Sequence, residues 1–147
     1  MIYVTKENNY SCEIHNIDLK CFPDDNWSET LISNEILNES SQYIIYTHSG
    51  QPCAYICFRH LIDEMELDRI AVLHDFRNKN IASGLVEEMI QFAGRNNVSR
   101  ITLEVRKNNV PAISLYKKYG FTQDCIRKNY YNNPKDDAIL MSLILKN

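Results

Sequence analysis

Apolar positions follow a period of two in several short stretches of the chain, which is typical of β-strands. Two of these stretches, 43–48 and 52–60, are separated by a short polar segment that contains Gly50, and this arrangement predicts a hairpin. A third stretch, 64–72, alternates in the same way. Strict alternation within it predicts that three apolar residues share one side of the strand: Met65, Leu67 and Ala71.

Other stretches follow the helical period instead. Residues 81–97 carry apolar side chains on one stripe and charged ones opposite, so we expect an amphipathic helix there. A shorter helix is predicted to begin at Ser28, a favourable N-cap residue, whereas residues 10–22 match a helix only loosely. The segment 112–119 also predicts a helix, which ends at Gly120, because glycine is favoured just beyond a helix C-terminus.

Between the last two predicted helices lies a strand over 100–106 whose two faces differ. Its apolar residues alternate and share one face, which leaves Glu104 on the polar face. Asn109 follows this strand and is a suitable N-cap for the next helix. The chain ends in two further predicted strands, one beginning near residue 121 and one over 137–145.

This order of elements predicts an α+β fold, or an α/β fold with a partly antiparallel sheet. No repeat, low-complexity tract or Pro/Gly-rich linker interrupts the chain, so residues 1–147 are interpreted as a single domain. The net charge of −3 argues against direct nucleic-acid binding and fits a cationic partner better.

Cysteines and membrane signals add little chemistry. The count of five cysteines is odd and indicates reduced thiols rather than a disulfide framework. Alternation over 53–60 predicts that Cys53 and Cys57 share one face while His60 points to the other, so we expect no metal site. No stretch approaches the ~20 apolar residues of a membrane helix, and the first residues do not form a signal peptide. We therefore expect a cytoplasmic protein without membrane contact.

The segment 67–93 combines a strand, a loop and a helix in a way that is typical of anion sites. A helix N-terminus presents unpaired backbone N–H groups and the positive end of the helix dipole. Two basic residues, Arg77 and Lys79, precede the predicted helix. These features alone also fit an ordinary surface loop.

The amino-acid sequence of this loop is more informative than its position before a helix. Residues 77–82, Arg-Asn-Lys-Asn-Ile-Ala, resemble the R/Q-x-x-G-x-G/A pyrophosphate loop of the GNAT acetyltransferase family. Asn80 stands where the family prefers glycine, and Ala82 occupies the second small position. Because asparagine is enriched among non-glycine residues at positive φ, we expect a working loop with weaker cofactor affinity.

A second and longer motif lies over 103–121, LEVRKNNVPAISLYKKYGF, and resembles the LEVR-x-x-N-x-x-A-I-x-L-Y-x-x-x-G-F signature of N-terminal protein acetyltransferases. The segments 67–72, 126–143 and 22–29 resemble further parts of the same group, the last with three extra residues. Within the family, the resemblance is to bacterial ribosomal-protein alanine acetyltransferases of the RimI type. It implies a GNAT-like fold with a mostly antiparallel central sheet, a parallel strand pair at the cofactor site, and flanking helices.

The resemblance implies an enzyme that transfers an acetyl group from acetyl-CoA to a primary amine without a metal. Glu104 matches the family's catalytic base, and Tyr116 matches the proton donor to the coenzyme A sulfur. From the residues alone, Glu104 also fits a salt-bridged surface glutamate and Tyr116 a core aromatic residue with a hydrogen-bonded hydroxyl. The positions that match the family's cofactor-binding residues are Ile70, Ala71, Val72, Arg77, Asn78, Lys79, Asn80, Ile81, Ala82, Ser83 and Asn109.

For the acceptor, the resemblance implies a protein N-terminus, namely the alanine amine of a small-subunit ribosomal protein followed by basic residues. Trp27, Tyr130 and Tyr131 match positions that border the peptide site. Two alternatives remain at this point: a small-molecule amine or lysine as acceptor, and a GNAT-like domain that binds a ligand without catalysis. The presence of Asn80 in place of glycine favours the non-catalytic alternative, whereas the presence of Glu104 and Tyr116 argues against it.

Overall fold

The structure, a computed structural model, describes residues 1–145 as one sheet with helices on both faces. The strands are β1 (Ile2–Tyr3), β2 (Ser41–His48), β3 (Gln51–Leu61), β4 (Glu64–Val72), β5 (Arg100–Arg106), β6 (Thr122–Tyr131) and β7 (Asp136–Ile144). The helices are α1 (Ser11–Cys21), α2 (Glu29–Ile36), α3 (Ile81–Arg95) and α4 (Val110–Lys118). A single 3₁₀ turn, His74–Phe76, follows β4. Among the described residues, no helix is both long enough and apolar enough to cross a membrane.

The seven strands lie in the order β1-β2-β3-β4-β5-β7-β6, and the pairing is antiparallel except between β4 and β5. The predicted mixed sheet with one parallel strand pair is therefore confirmed. The parallel pairing runs only from Glu64 opposite Arg100 to Leu67 opposite Leu103. Beyond it, residues 68–72 and 104–106 do not pair with each other, so the sheet opens between the carboxyl ends of these two strands.

Each face of the sheet has its own core. On one face, Leu85, Val86 and Met89 of α3 pack against buried residues of the central strands, such as Leu103. On the other face, α1 and α2 bury a cluster that contains Ile14, Ile17, Ile32, Tyr43 and Tyr55. Apolar burial at about 25 cal/mol per Å² is the main force that holds such layers together. These layers fix the position of β4 and β5, where the sheet opens.

Two predictions of which residues share one face of a strand were wrong, and a β-bulge explains each of them. In β4, Leu67 lies opposite Phe58 while Arg69 lies opposite Cys57, so Asp68 is an extra residue. A bulge reverses the alternation, and Ala71 therefore packs under α1 and α2, whereas Met65 and Leu67 pack with α3.

The second bulge lies at the start of β3. Tyr46 pairs with Ala54 and Thr47 with Pro52, which leaves Cys53 as the extra residue. Cys53 consequently joins the core under α3, and Cys57 joins the core under α1 and α2, although alternation predicted a shared face. Within residues 1–145, no group of three or more His, Cys, Asp or Glu side chains is arranged to hold a metal ion.

Most local predictions are confirmed. The Ser28 hydroxyl accepts a hydrogen bond from the Leu31 N–H at 3.1 Å, as an N-cap should. Gly50 has a φ of 81° in the turn between β2 and β3. Gly120, with a φ of 94°, follows α4 directly after Tyr119. α1 is a full helix although its apolar spacing is loose, and the two-residue strand β1 was not predicted.

Candidate active site

A cleft of about 530 Å³ opens where β4 ends, between the N-termini of α3 and α4. Nearly all the residues matched to cofactor binding line it: Ile70, Ala71, Val72, Arg77, Asn78, Asn80, Ile81, Ala82, Ser83 and Asn109. Lys79 belongs to the same loop but does not line this cleft. The fold thus places the end of β4 and the loop before α3 next to the start of α4, although α3 and β5 lie between them in the sequence.

The loop before α3 has an unusual backbone. Asn78 and Asn80 have φ values of 62° and 61°, in the left-handed region that non-glycine residues rarely adopt. Asn80 is the N-cap of α3, and its carbonyl oxygen accepts the Gly84 N–H at 3.1 Å. Because its side chain does not cap the helix, the N–H groups of the first turn remain free to bind an anion.

Arg77 does not extend from the loop. Its Nε donates a hydrogen bond to the Val72 carbonyl oxygen at 2.9 Å, and its guanidinium lies 4.0 Å from the Cys21 sulfur. The Cys21 thiol also donates to the Val72 oxygen, at 3.5 Å. Burial raises the pKa of Cys21, so the thiol is protonated near neutral pH. These contacts tie the loop and the end of α1 to the last residue of β4.

Asn109 has the role predicted from the sequence at the other side of the cleft. Its side-chain oxygen accepts the Ala112 N–H at 3.3 Å, which makes it the N-cap of α4. It also lines the cleft, so the capping position and the cleft position coincide.

Glu104 lies on the carboxyl half of β5, beyond the last residue that pairs with β4. Its carboxylate is 3.7 Å from the Arg127 guanidinium, and its side chain is 29% exposed. A pair this long, with a half-exposed arginine, contributes little to stability. The Tyr130 hydroxyl also hydrogen-bonds to Glu104, which raises the pKa of Tyr130.

Tyr130 and Tyr131 form a wall beside Glu104. Their rings are 5.1 Å apart and nearly perpendicular, and the Arg106 guanidinium lies 4.4 Å above the Tyr131 ring. Arg106 also donates to the Pro134 carbonyl oxygen at 2.7 Å, which fixes the β6–β7 turn. Burial, followed by the negative charge of Glu104, raises the pKa of Tyr131.

Tyr116 is buried on α4, with its ring 5.8 Å from that of Phe121. Among the described residues, the Tyr116 hydroxyl has no hydrogen-bond partner, unlike the hydroxyl groups of Tyr43 and Tyr55. Burial, and to a smaller extent the nearby Tyr131, raises the pKa of Tyr116 well above 10. The Tyr116 ring therefore packs in the core, while its hydroxyl stays neutral and can donate a hydrogen bond to a ligand.

Trp27 occupies a different position from the two tyrosines. It packs with the core under α1 and α2, and its backbone N–H donates to the Asp18 carboxylate at 2.7 Å. Its ring lies 4.1 Å from the Arg69 guanidinium.

Several cleft residues were not selected from the sequence: Cys21, Phe22, Phe76, Pro111, Ala112 and Leu115. Pro111, Ala112 and Leu115 fall within the signature over 103–121, so their proximity to Asn109 was a usable signal. Phe22 begins the segment 22–29 that resembles the family, but nothing in the sequence points to Cys21, because the end of α1 reaches the cleft only through tertiary packing.

Comparisons with known proteins agree with this geometry. The sequence model of the acetyltransferase (GNAT) family matches residues 11–121. The chain is 33% identical over 121 residues to the [ribosomal protein bS18]-alanine N-acetyltransferase of Escherichia coli strain K12, covering 80% of each chain. It is 43% identical over 74 residues to an N-alpha-acetyltransferase of Saccharolobus solfataricus, covering 50% of this chain and 44% of the relative.

The crystal structure of the ribosomal-protein-S18-alanine N-acetyltransferase from Escherichia coli superposes with a TM-score of 0.89 at 28% identity, covering 99% of this chain and 94% of the other. The opened β4–β5 pair and the anion-binding helix N-terminus define an acyl-CoA-dependent transferase site. The chain belongs to the GNAT family and is an acetyl-CoA-dependent N-acetyltransferase.

The residues of the cleft fit acetyl-CoA. The free N–H groups of Ile81, Ala82 and Ser83 at the start of α3 suit a pyrophosphate, and the small side chain of Ala82 leaves the backbone accessible. The edge of β4 over 70–72 does not pair with β5, so its backbone groups, apart from the Val72 carbonyl oxygen that Arg77 and Cys21 already bind, suit the amides of the pantetheine arm.

Proposed function

We propose that this enzyme acetylates the N-terminal α-amine of a protein, and that the acceptor begins with alanine, as in a small-subunit ribosomal protein. The observation that carries the proposal is the position of Glu104. It lies on β5 where the sheet opens, beside the wall of Tyr130 and Tyr131. The similarity to the Escherichia coli [ribosomal protein bS18]-alanine N-acetyltransferase supports the alanine acceptor.

In this mechanism, Glu104 accepts a proton from the acceptor amine. A free α-amine has a pKa of about 7.7–8.0, so a modest base is sufficient near neutral pH. The acceptor nitrogen must also be held close to the reacting carbon, and the tyrosine wall beside Glu104 does this. Acetyl-CoA, when bound, supplies the thioester carbonyl that the amine attacks.

Tyr116 supplies the proton for the departing thiolate. Its raised pKa keeps the hydroxyl protonated throughout the working pH range. Because no other described residue accepts a hydrogen bond from this hydroxyl, its proton is available to a sulfur atom.

The test is a panel of peptides with wild type, Glu104→Gln and Tyr116→Phe. We expect transfer to alanine-initiated peptides, and a fall in kcat of about 10²-fold for each variant, the usual size of one acid–base contribution. Both variants keep the shape of the original side chain, so acetyl-CoA affinity by calorimetry should change less than about threefold.

The controls separate the acceptor from the chemistry. An N-terminally blocked peptide with an internal lysine tests the side-chain amine as acceptor. Preferential transfer to that lysine would refute the proposed acceptor. Unchanged kcat in both variants would refute the roles of Glu104 and Tyr116.

A further inference from the structure

An arginine on β4 has surroundings that neither the cofactor cleft nor the catalytic residues explain. The Arg69 guanidinium lies between two aromatic rings, 4.2 Å from the centre of Phe22 and 4.1 Å from that of Trp27. Its side chain is only 12% exposed. A planar cation that stacks on rings is attracted by their faces and fixes their position.

The same guanidinium also donates hydrogen bonds along its edge, through Nη1 and Nη2. Nη1 donates to both carboxylate oxygens of Asp18 at 3.0 Å and to the Asp25 carbonyl oxygen at 3.1 Å. Nη2 donates to the Asp25 carboxylate at 3.3 Å. Asp18 is completely buried and also accepts the Trp27 N–H and the Tyr55 hydroxyl. Arg69 therefore compensates the buried carboxylate of Asp18 and at the same time binds Asp25 in the segment that follows α1.

This segment, residues 22–28, joins α1 to α2. It contains the three residues that are additional to the matching segment of the family. Arg69 contacts it at Phe22, Asp25 and Trp27. Arg69 lies on the side of β4 that faces α1, whereas the next residue, Ile70, packs toward α3 and lines the cofactor cleft. Arg69 does not line the cofactor cleft, but Phe22, which it contacts, does, so the segment reaches the cleft at its first residue.

Glu104 also lies on the face turned toward α1 and α2, because its neighbours Leu103 and Val105 are buried under α3. The segment 22–28 packs on this same face of the sheet, and its first residue, Phe22, lines the cleft at the end of β4. We propose that Arg69 is a positioning residue for the acceptor: it holds this segment, and Trp27 within it, as one wall of the acceptor site. This inference rests on the proposed function.

The test is Arg69→Lys, read out by fluorescence and by kinetics. Lysine keeps a positive charge beside Asp18, so the buried carboxylate stays compensated. The variant loses the planar group that stacks on Phe22 and Trp27 and the two-pronged set of N–H donors of arginine. Trp27 is the single tryptophan of the chain, so its emission reports on the segment directly. We expect acrylamide quenching of Trp27 to increase about twofold and KM for an alanine-initiated peptide to rise about tenfold. kcat should stay within about twofold, and KM for acetyl-CoA should rise less than KM for the peptide, because Arg69 itself does not line the cofactor cleft.

Two further variants make the comparison specific. Arg95→Lys makes the same chemical change on α3, where Arg95 pairs with Glu88 at 3.2 Å, and should alter neither readout. Asp25→Asn removes one charge from a side chain that is 81% exposed, so it does not threaten folding. It should raise the peptide KM about two- to threefold, in the same direction as Arg69→Lys.

Unchanged Trp27 quenching in Arg69→Lys would overturn the inference, because the segment would then be held by other contacts. Increased quenching with an unchanged peptide KM would overturn it as well, since the segment would not shape the acceptor site. A wild type that acetylates no peptide would instead refute the proposed function. The quenching comparison would still decide whether Arg69 holds the segment.

Discussion

Asn80 shows how a single residue type can replace the glycine that a phosphate loop usually requires. At a φ of 61°, asparagine is tolerated, whereas a β-branched residue is strained. We expect Asn80→Val to lower the free energy of unfolding by about 1–2 kcal/mol and to weaken acetyl-CoA binding, because the first turn of α3 shifts. Urea denaturation and calorimetry measure these two quantities.

The matched control for that prediction is Asn80→Gly. Glycine adopts the same φ without strain, so the stability should be retained and the affinity for acetyl-CoA should be at least as high as in the wild type. Equal stability and affinity in Asn80→Val would show that the left-handed conformation of this residue is not needed for the loop.

Residue identity predicted the backbone of this loop better than it predicted the side chains. The tolerance of Asn80 for positive φ follows from the residue type alone. Arg77, which was matched to cofactor binding, lines the cleft, but the hydrogen bond from its Nε to the Val72 carbonyl oxygen was not predicted. The choice of partner depends on how the loop folds back on β4, and this is a tertiary distance that no local pattern contains.

At the scale of the element, the N-cap residue of α4, Asn109, also lines the cleft. Asn109→Ala should cost about 1 kcal/mol of stability, because the Ala112 N–H loses its partner. Asn109→Asp keeps an equally good cap but adds a negative charge at the cleft. We expect Asp to preserve the midpoint of thermal unfolding while it weakens acetyl-CoA binding about tenfold, owing to repulsion of the phosphates.

The two substitutions separate the roles. An unchanged acetyl-CoA affinity in Asn109→Asp would show that the phosphates do not bind near this residue. If Asn109 serves only the ligand, Asn109→Ala should be as stable as the wild type.

Periodicity located the elements well but failed within two strands. The bounds of β4, β5 and α3 follow from apolar spacing, turn residues and caps, which are local signals. The bulges at Cys53 and Asp68 exist because neighbouring strands carry unequal numbers of residues. Strand pairing decides them, so alternation assigned Ala71 and Cys57 to the wrong sides.

At the scale of the whole molecule, the site depends on how β4 and β5 separate. The parallel pairing stops at Leu67 and Leu103, and the motif residues of both strands lie beyond that point. The sequence predicted each strand, and the family resemblance implied the parallel pair. The contribution of Cys21, at the end of α1, required the packed structure because the other cleft residues, apart from Phe22, lie nearly fifty or more positions away in the sequence.

Charge is the property of the whole molecule that bears on the acceptor. The chain carries a net charge of −3, and at the Tyr130 hydroxyl the negative charge of Glu104 raises the pKa more than the positive charge of Arg127 lowers it. A peptide with arginine or lysine after its N-terminal alanine should therefore have a lower KM than one with serine at those positions.

Salt provides the test of this attraction, since exposed charges are screened within about 10 Å at 0.1 M ionic strength. Raising the salt concentration from about 0.02 to 0.5 M should increase KM for the basic peptide about fivefold, which corresponds to the ~1 kcal/mol typical of an exposed ion pair. The serine peptide has no such charges, so its KM should change less than about twofold. Equal salt dependence for the two peptides would mean that the acceptor is recognised through its N-terminus and its shape, and that the acidic groups around Tyr130 do not select it.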